Sequence, residues 1–379
     1  MIKKMQKQAK KVILGMSSGV DSTVAAALLK QQGYEVIGIF MHFWKEPSKD
    51  KSVENKCCSL ESYQELKKIC RLLKIPLYTA NVEKEFKKEI VDYFLREYKN
   101  GRTPNPCVVC NREIKFKVLL KKMLEMEADY VATGHYALAR KSKVKSQKLK
   151  NKEKFSYKLL AARDKEKDQS YFLYNLNQKQ LAKILFPIGR YKKFEVREMA
   201  KKLKLPVFDK KESQDICFVN KDTASFLKRY LKLKKGKITD EKGNVLGEHL
   251  GLPLYTFGQR KGIAIGGSGP YYVCGKDPKK NILKVTNKKN SSVLYSSEMS
   301  TKMTNWLGKE PKLPAKILVR TRYRNKPVSA IIKSYNTKHK TYNIKFNNPQ
   351  RAITPGQSAV FYKGRGEVIG GGIIHPHTN

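Results

Sequence analysis

Lys11–Ser22 reads KVILGMSSGVDS: a short apolar run that ends in small polar residues. TVAAALLKQQ (Thr23–Gln32) follows at helical spacing and stops at Gly33. A strand, a tight turn and a helix in that order open a β-α unit, and the next segments repeat the pattern. YEVIGIFMHFW (Tyr34–Trp44) reads as a second strand, and PLYTANV (Pro76–Val82) as a third. Between them a helix is expected over about Ser59–Lys74, where Leu66, Ile69, Cys70 and Leu73 share one face. EFKKEIVDYFLREY (Glu85–Tyr98) reads as an amphipathic helix, and a loop spans Gly101–Cys110. A helix over IKFKVLLKKML (Ile114–Leu124) then leads into the strand DYVATGHYAL (Asp129–Leu138). Strands separated by helices predict an α/β fold with a doubly wound parallel sheet.

Further on the texture changes. Lys141–Lys158 (KSKVKSQKLKNKEKFSYK) is lysine-rich and poor in apolar residues, and is expected as an exposed loop. A helical pattern is expected from Gln169 to about Lys204, ending at SQDICFV (Ser213–Val219). Short strands among glycines mark 221–297 as a small mixed central domain. From 298 to 379 the chain reads as short strands alone (KILVRTRYR, VSAIIKSY, YNIKF, QSAVFY, EVIGGGII), the pattern of a small closed β-barrel. The expected division is therefore 1–220, 221–297 and 298–379.

The 379 residues hold 79 Lys+Arg against 33 Asp+Glu, a formal charge of +46 that invites a polyanionic partner such as RNA. Lysines far outnumber arginines, however, so a solvated lysine coat explains much of that number. No stretch approaches the roughly 20 apolar residues of a membrane span. The basic N-terminus lacks the apolar core of a secretory signal, so a cytoplasmic, soluble and monomeric protein is expected. Seven cysteines (57, 58, 70, 107, 110, 217 and 274) in such a chain argue against a disulfide framework. Cys70 and Cys274 fit core or strand positions, and Cys57 and Cys58 in a charged loop receive no role.

The turn at Gly15–Ser22 carries chemistry. Small residues there let backbone N–H groups curl around an anion, and the following helix adds its positive end. The Ser17 and Ser22 hydroxyls add donors, and Asp21 suits a Mg²⁺ ion held against phosphates. The GK[ST] ending of a Walker loop is missing. SSGVDS resembles the SGGVDS loop of pyrophosphatase-loop ATPases, which release pyrophosphate while adenylylating an oxygen. FMHFW, GRTPNPCVVCNREIKFK, ATGHYA, KDQSYFL, SQDICFV, YTFGQRKG, NNPQRAITPGQSAVFY and GGGII, in that order, are similar to the segments of the tRNA-specific 2-thiouridylase family along nearly the whole chain.

That resemblance implies ATP-dependent 2-thiolation of a wobble uridine in tRNA. The loop residues Gly15, Met16, Ser17, Ser18, Gly19, Val20, Asp21 and Ser22, with Met41 and Gly134, would hold ATP with Mg²⁺. Cys110 and Cys217 match the catalytic cysteines, Cys217 carrying a persulfide from an upstream sulfur donor and Cys110 closing a transient disulfide with it. Asn105, Pro106, Cys107, His135, Lys167, Asp168, Gln169, Arg322, Tyr323 and Gln357 match positions facing the tRNA. An extruded wobble base suits such recognition, which favours splayed single-stranded bases.

Two departures stand out. Ser18 replaces the usual glycine of the loop, where a left-handed backbone would cost roughly 1–2 kcal/mol, so an ordinary conformation is expected. Cys107 replaces an aspartate, making Cys107-x-x-Cys110 plus Cys217 a candidate set of ligands for a [4Fe–4S] cluster or Zn²⁺. Competing readings are another ligase of the same ATPase class, and a non-enzymatic RNA-binding protein with a degenerate loop. The first does not explain paired loop cysteines plus a barrel carrying RYR and TPGQ, and intact Asp21, Ser22, Cys110 and Cys217 argue against the second.

Overall fold

The computed structural model describes residues 9–46, 59–144, 154–210, 216–263, 265–266, 269–364 and 366–375. Cys57, Cys58 and the centre of the lysine-rich stretch lie outside the described residues. The chain forms two compact units. The first comprises Met1–Glu89, Cys107–Phe218 and Arg365–Ile369; the second comprises Ile90–Pro106, Val219–Gly364 and Gly370–Asn379.

The first unit is built on a parallel sheet. Its strands are β1 (Lys11–Met16), β2 (Glu35–His42), β3 (Leu77–Asn81), β4 (Tyr130–Thr133) and β7 (Ile184–Leu185), in the order β3-β2-β1-β4-β7. β1 is central, with Val12–Met16 beside Val36–Phe40 and Val12–Gly15 beside Tyr130–Thr133. Val12, Ile13 and Leu14 are wholly buried, as expected of a strand covered on both faces. Helices α1 (Val20–Gln31) and α2 (Leu60–Leu72) pack Val24, Leu28, Leu66, Ile69 and Cys70 into one core with Met16 and Phe40. Ser59 caps α2 by accepting the Ser62 N–H, so the helix begins where the sequence places it.

Two expectations are corrected here. The lysine-rich stretch is not a loop at its ends. β5 (Ala137–Val144) and β6 (Lys154–Ala161) form an antiparallel hairpin, with Lys141 opposite Tyr157 and Lys143 opposite Phe155. Alternation carries it: the Lys141 ammonium sits 3.5 Å from the Phe155 ring centre, and Leu159 is buried. Glu367 and Val368, in the first unit, extend this hairpin beside Leu160 and Leu159. The helical run from Gln169 is also interrupted, because Ile184 and Leu185 pair with Val131 and Ala132 as β7. Two residues are too few to register as a strand in a periodicity reading. The helix resumes at Lys193–Lys202.

The second unit holds two β structures. A four-stranded sheet takes the order β10 (Tyr272–Asp277), β11 (Ile282–Thr286), β8 (Gly236–Thr239), β9 (Val245–His249), over a core of Ile238, Val273, Leu283 and Val285. Six further strands follow: β12 (Tyr295–Trp306), β13 (Ala315–Arg320), β14 (Val328–Asn336), β15 (Thr341–Arg351), β16 (Ser358–Lys363) and β17 (Glu367–His375). Their order β12-β15-β14-β13-β16-β17 closes on itself where β17 pairs with β12, which makes the expected barrel and leaves no open edge. No described helix is long and apolar enough to cross a membrane.

Candidate nucleotide and thiol sites

The turn after β1 is held by its own hydroxyls. Ser22 Oγ accepts the Ser17 N–H at 3.1 Å and lies 2.9 Å from the Ser17 carbonyl; Ser17 Oγ accepts the Gly19 N–H at 3.3 Å. The first bond of α1 runs from the Thr23 N–H to the Gly19 carbonyl. The N–H groups of Val20, Asp21 and Ser22 therefore precede the helical ladder, the arrangement that receives an anion. Gly15 and Met16 are the last residues of β1, and Met41 is buried on β2. Ser18 is absent from the left-handed positions and buried, so the expected ordinary conformation is found. Its hydroxyl accepts from Lys210 Nζ at 2.8 Å.

Gly134 lies just past the end of β4, against the start of α1. A Cβ there would stand 2.7 Å from Ser22 N and 2.8 Å from the Asp21 carbonyl carbon, closer than any side chain tolerates. Glycine is needed so that the helix start can approach the sheet. Beside it, Tyr136 donates its hydroxyl to Asp21 Oδ1 at 2.9 Å. Gln169 fixes Tyr136 from both sides, accepting its N–H at 2.9 Å and donating its own N–H to the Tyr136 carbonyl at 2.8 Å. Asp168 is buried and caps the same turn, accepting from the Ala162 and Ser170 N–H groups at 3.1 Å. The Lys167 N–H goes to Asp164. The Lys167–Gln169 segment thus braces the wall of the turn after β1.

Asp21 is already engaged. Lys193 Nζ lies 2.7 Å from its Oδ1 and 2.9 Å from its Oδ2, and the Lys193 side chain is only 10% exposed. Both oxygens of Asp21 face this ammonium, and Asp21 itself stays one-third exposed. The N–H groups, hydroxyls and lysines at the turn do suit phosphate oxygens.

His135 is buried. Its Nδ1 sits 2.8 Å from Thr133 Oγ1, and its ring stacks on Phe116 at 5.9 Å. Burial, aided by the Lys115 charge, lowers its pKa to about 3, so the imidazole is neutral at physiological pH.

The cysteines sit in contrasting surroundings. Cys107 and Cys110 share the short helix Pro106–Cys110, which continues into a π-helical turn at Asn111–Lys115. Cys107 is exposed, and Cys110 is turned into the core. Cys217 is exposed, and Phe218 next to it is anchored in the core against Phe86 at 5.8 Å. Among the described residues no group of three His, Cys, Asp or Glu side chains is arranged to hold a metal. The expected convergence of Cys107, Cys110 and Cys217 on a [4Fe–4S] cluster or Zn²⁺ is thus corrected, with Cys110 facing inward and Cys107 outward. Cys70 is buried beside Met16, as expected of a core residue.

In the second unit the expected RNA-facing residues build a joint. Gln357 Nε2 donates to the Thr103 and Pro104 carbonyls at 2.9 and 3.1 Å. Gly356, at φ +92°, packs so tightly on Thr103 that a Cβ would meet its carbonyl oxygen at 2.9 Å. Arg322 ties Phe257 to the same turn, donating to the Phe257 carbonyl at 3.1 Å and to Thr354 Oγ1 at 2.7 Å. Lys276 Nζ reaches the Gly101 carbonyl at 3.2 Å, and its burial lowers its pKa to about 8. Tyr323 and Asn105 are half-buried and Pro106 is buried. These bonds fix the segment Gly101–Pro104 within the second unit.

Sequence reading missed Tyr136, Lys193, Lys210 and Lys276. Tyr136 stands beside Gly134 in ATGHYA, a usable signal, whereas the lysines were lost among 79 basic residues.

A parallel-sheet domain with an anion-receiving turn at the end of its central strand defines a nucleotide-binding α/β protein, here with two β-rich domains appended. Family models match along the chain: a "tRNA methyl transferase HUP domain" over 10–221, a "tRNA methyl transferase PRC-barrel domain" over 224–287 and an "Aminomethyltransferase beta-barrel domain" over 296–374. The tRNA-specific 2-thiouridylase of Clostridium kluyveri is 44% identical over 97% of this chain and 99% of its own. One from Caldanaerobacter subterraneus is 45% identical over 96% and 97%. The chain belongs to the tRNA-specific 2-thiouridylase family. Among solved structures, a 4-thiouridine synthetase–RNA complex with bound ATP overlaps 58% of this chain and 49% of its own at 17% identity, with a TM-score of 0.35, too low to carry any argument.

Proposed function

We propose that the protein uses ATP to replace the 2-oxygen of a tRNA wobble uridine with sulfur. The observation that carries this reading is identity of 44–45% over nearly the full length of relatives named as tRNA-specific 2-thiouridylases. The anion-receiving turn and the two cysteines support it chemically. In the first step the uridine O2 attacks the α-phosphorus of ATP. The bond to the β-phosphate oxygen breaks, pyrophosphate leaves with the electron pair, and the ring loses its N3 proton. The oxygen is now part of a good leaving group.

In the second step a persulfide on Cys217, received from a protein persulfide donor, attacks C2 through its terminal sulfur. AMP departs with the old oxygen. Cys110 then attacks Cys217 Sγ, the S–S bond breaks toward the base, and 2-thiouridine leaves a Cys110–Cys217 disulfide. A thiol reductant supplies the two electrons that reset it. Exposed Cys217 suits reception of sulfur from another protein, and inward-facing Cys110 suits a resolving thiol shielded from bulk oxidants.

The methyl-transfer wording of the family-model descriptions has no support in this chemistry, since paired thiols and a phosphate loop do not serve a methyl donor. Measurement of AMP and pyrophosphate release with unmodified tRNA tests the reading. Release that depends on tRNA is expected; binding of tRNA without release would favour a binding protein.

A further inference from the structure

The helix Lys193–Lys202 reaches the phosphate loop twice. At its first residue, Lys193 pairs with Asp21. One turn on, Arg197 donates to the Phe208 carbonyl at 2.6 Å and to the Lys210 carbonyl at 3.0 Å. That grip sets the backbone from which Lys210 extends, and Lys210 Nζ lies between Ser18 Oγ of the loop and the Glu65 carboxylate of α2. Two ammonium groups from one structural arm thus meet a turn already shaped for an anion, and Asp21 is spent on one of them.

We propose that Lys210 is a catalytic residue that binds the terminal phosphates of the nucleotide and receives the charge of departing pyrophosphate. Arg197 and the Asp21–Lys193 pair are positioning groups. The inference rests on the nucleotide-dependent reading above. When the α-phosphorus bond to the β-phosphate oxygen breaks, that oxygen keeps the electron pair, and a neighbouring ammonium stabilises it as it forms. Lys210 suits this task because, among the described residues, its ammonium is held by the side chains of Ser18 and Glu65, and it is partly open to incoming phosphate. Glu65 returns the ammonium to its place once product leaves. Lys193, nine-tenths enclosed and held by both Asp21 oxygens, supplies fixed background charge instead.

The test measures tRNA-dependent pyrophosphate release against ATP for the wild type, Lys210→Met, Lys210→Arg and Arg197→Met. Lys210→Met is expected to lower kcat/KM for ATP by about 10- to 100-fold, the worth of one charge-assisted hydrogen bond, with tRNA affinity unchanged. Lys210→Arg is expected to restore part of kcat, and Arg197→Met to raise KM more than it lowers kcat. Calorimetric binding of inorganic pyrophosphate to folded Lys210→Arg and Lys210→Met separates binding from folding, and Lys210→Met is expected to weaken it. Wild-type kinetics and pyrophosphate affinity in Lys210→Met would overturn the assignment of Lys210 alone. A wild-type protein that releases no pyrophosphate would overturn the nucleotide reading, and the Lys210 assignment with it.

Discussion

Lys193 Nζ stands 2.7 Å from Asp21 Oδ1, with Tyr136 on the same oxygen at 2.9 Å. This pair joins the first turn of one helix to the first turn of another, at the place where an anion is expected. Removing one member leaves the other enclosed and uncompensated. Asp21→Ala is therefore expected to lower stability, by about 2 kcal/mol given that Asp21 is partly exposed and fully buried pairs cost about 3–5 kcal/mol. Asp21→Ala with Lys193→Met is expected to recover stability but not pyrophosphate release. Urea unfolding of the two variants checks the first point, and a pyrophosphate-release assay checks the second.

His135 makes stability depend on pH. Its folded pKa of about 3 lies below the unfolded value near 6.5, so the unfolded chain takes up the proton first as pH falls. The stability present above pH 6.5 is lost on acidification toward pH 3, at about 1.4 kcal/mol per pH unit. Between pH 6.5 and 5 the wild type should lose about 2 kcal/mol more than His135→Phe. Buried His249, also lowered, leaves a residual acid slope in the variant. Equal slopes in chemical denaturation of the two proteins would contradict the buried, neutral state of His135.

Cys217→Ser should separate the two half-reactions. Adenylylation does not use this thiol, so tRNA-dependent pyrophosphate release is expected to persist while no sulfur enters the tRNA. Cys110→Ser should still load sulfur on Cys217, but sulfur bonded to C2 should stay tied to Cys217, so that no free 2-thiouridine forms. Intact-mass analysis of the two variants after incubation with a persulfide donor reads this directly. Thiolated tRNA from Cys217→Ser would remove the persulfide assignment.

Gly356→Ala places a methyl 2.9 Å from the Thr103 carbonyl oxygen at a φ of +92°. The added crowding and the left-handed backbone should cost about 1–3 kcal/mol. Because Gln357 and Gly356 hold the segment leading to Cys107, tRNA-dependent turnover should fall while nucleotide binding is retained. Kinetics with saturating ATP and varied tRNA check it.

Much of this molecule is legible in its sequence, for physical reasons that differ by region. Val12–Leu14 and Val36–Phe40 are apolar throughout because the sheet is covered on both faces, so β1 and β2 stand out. β7 does not, since two residues carry no period. The hairpin at Ala137–Ala161 hides because its lysines alternate outward and read as a charged loop. At the sites, glycine and serine in SSGVDS betray the turn, whereas nothing in KKFEVREMAKK marks Lys193 as the one that turns inward to Asp21. Nothing in the sequence around Gln357 and Arg322 marks the bonds they make within the second unit, to the Thr103 and Pro104 carbonyls and to the Phe257 carbonyl and the Thr354 hydroxyl.

The most direct test of the central claim is mass spectrometry of nucleosides from unmodified tRNA incubated with the enzyme, ATP, Mg²⁺ and a protein persulfide donor. The account predicts 2-thiouridine at the wobble position, formed in step with AMP and pyrophosphate. Bound tRNA whose wobble uridine stays unmodified, or carries a methyl group in place of sulfur, would contradict it.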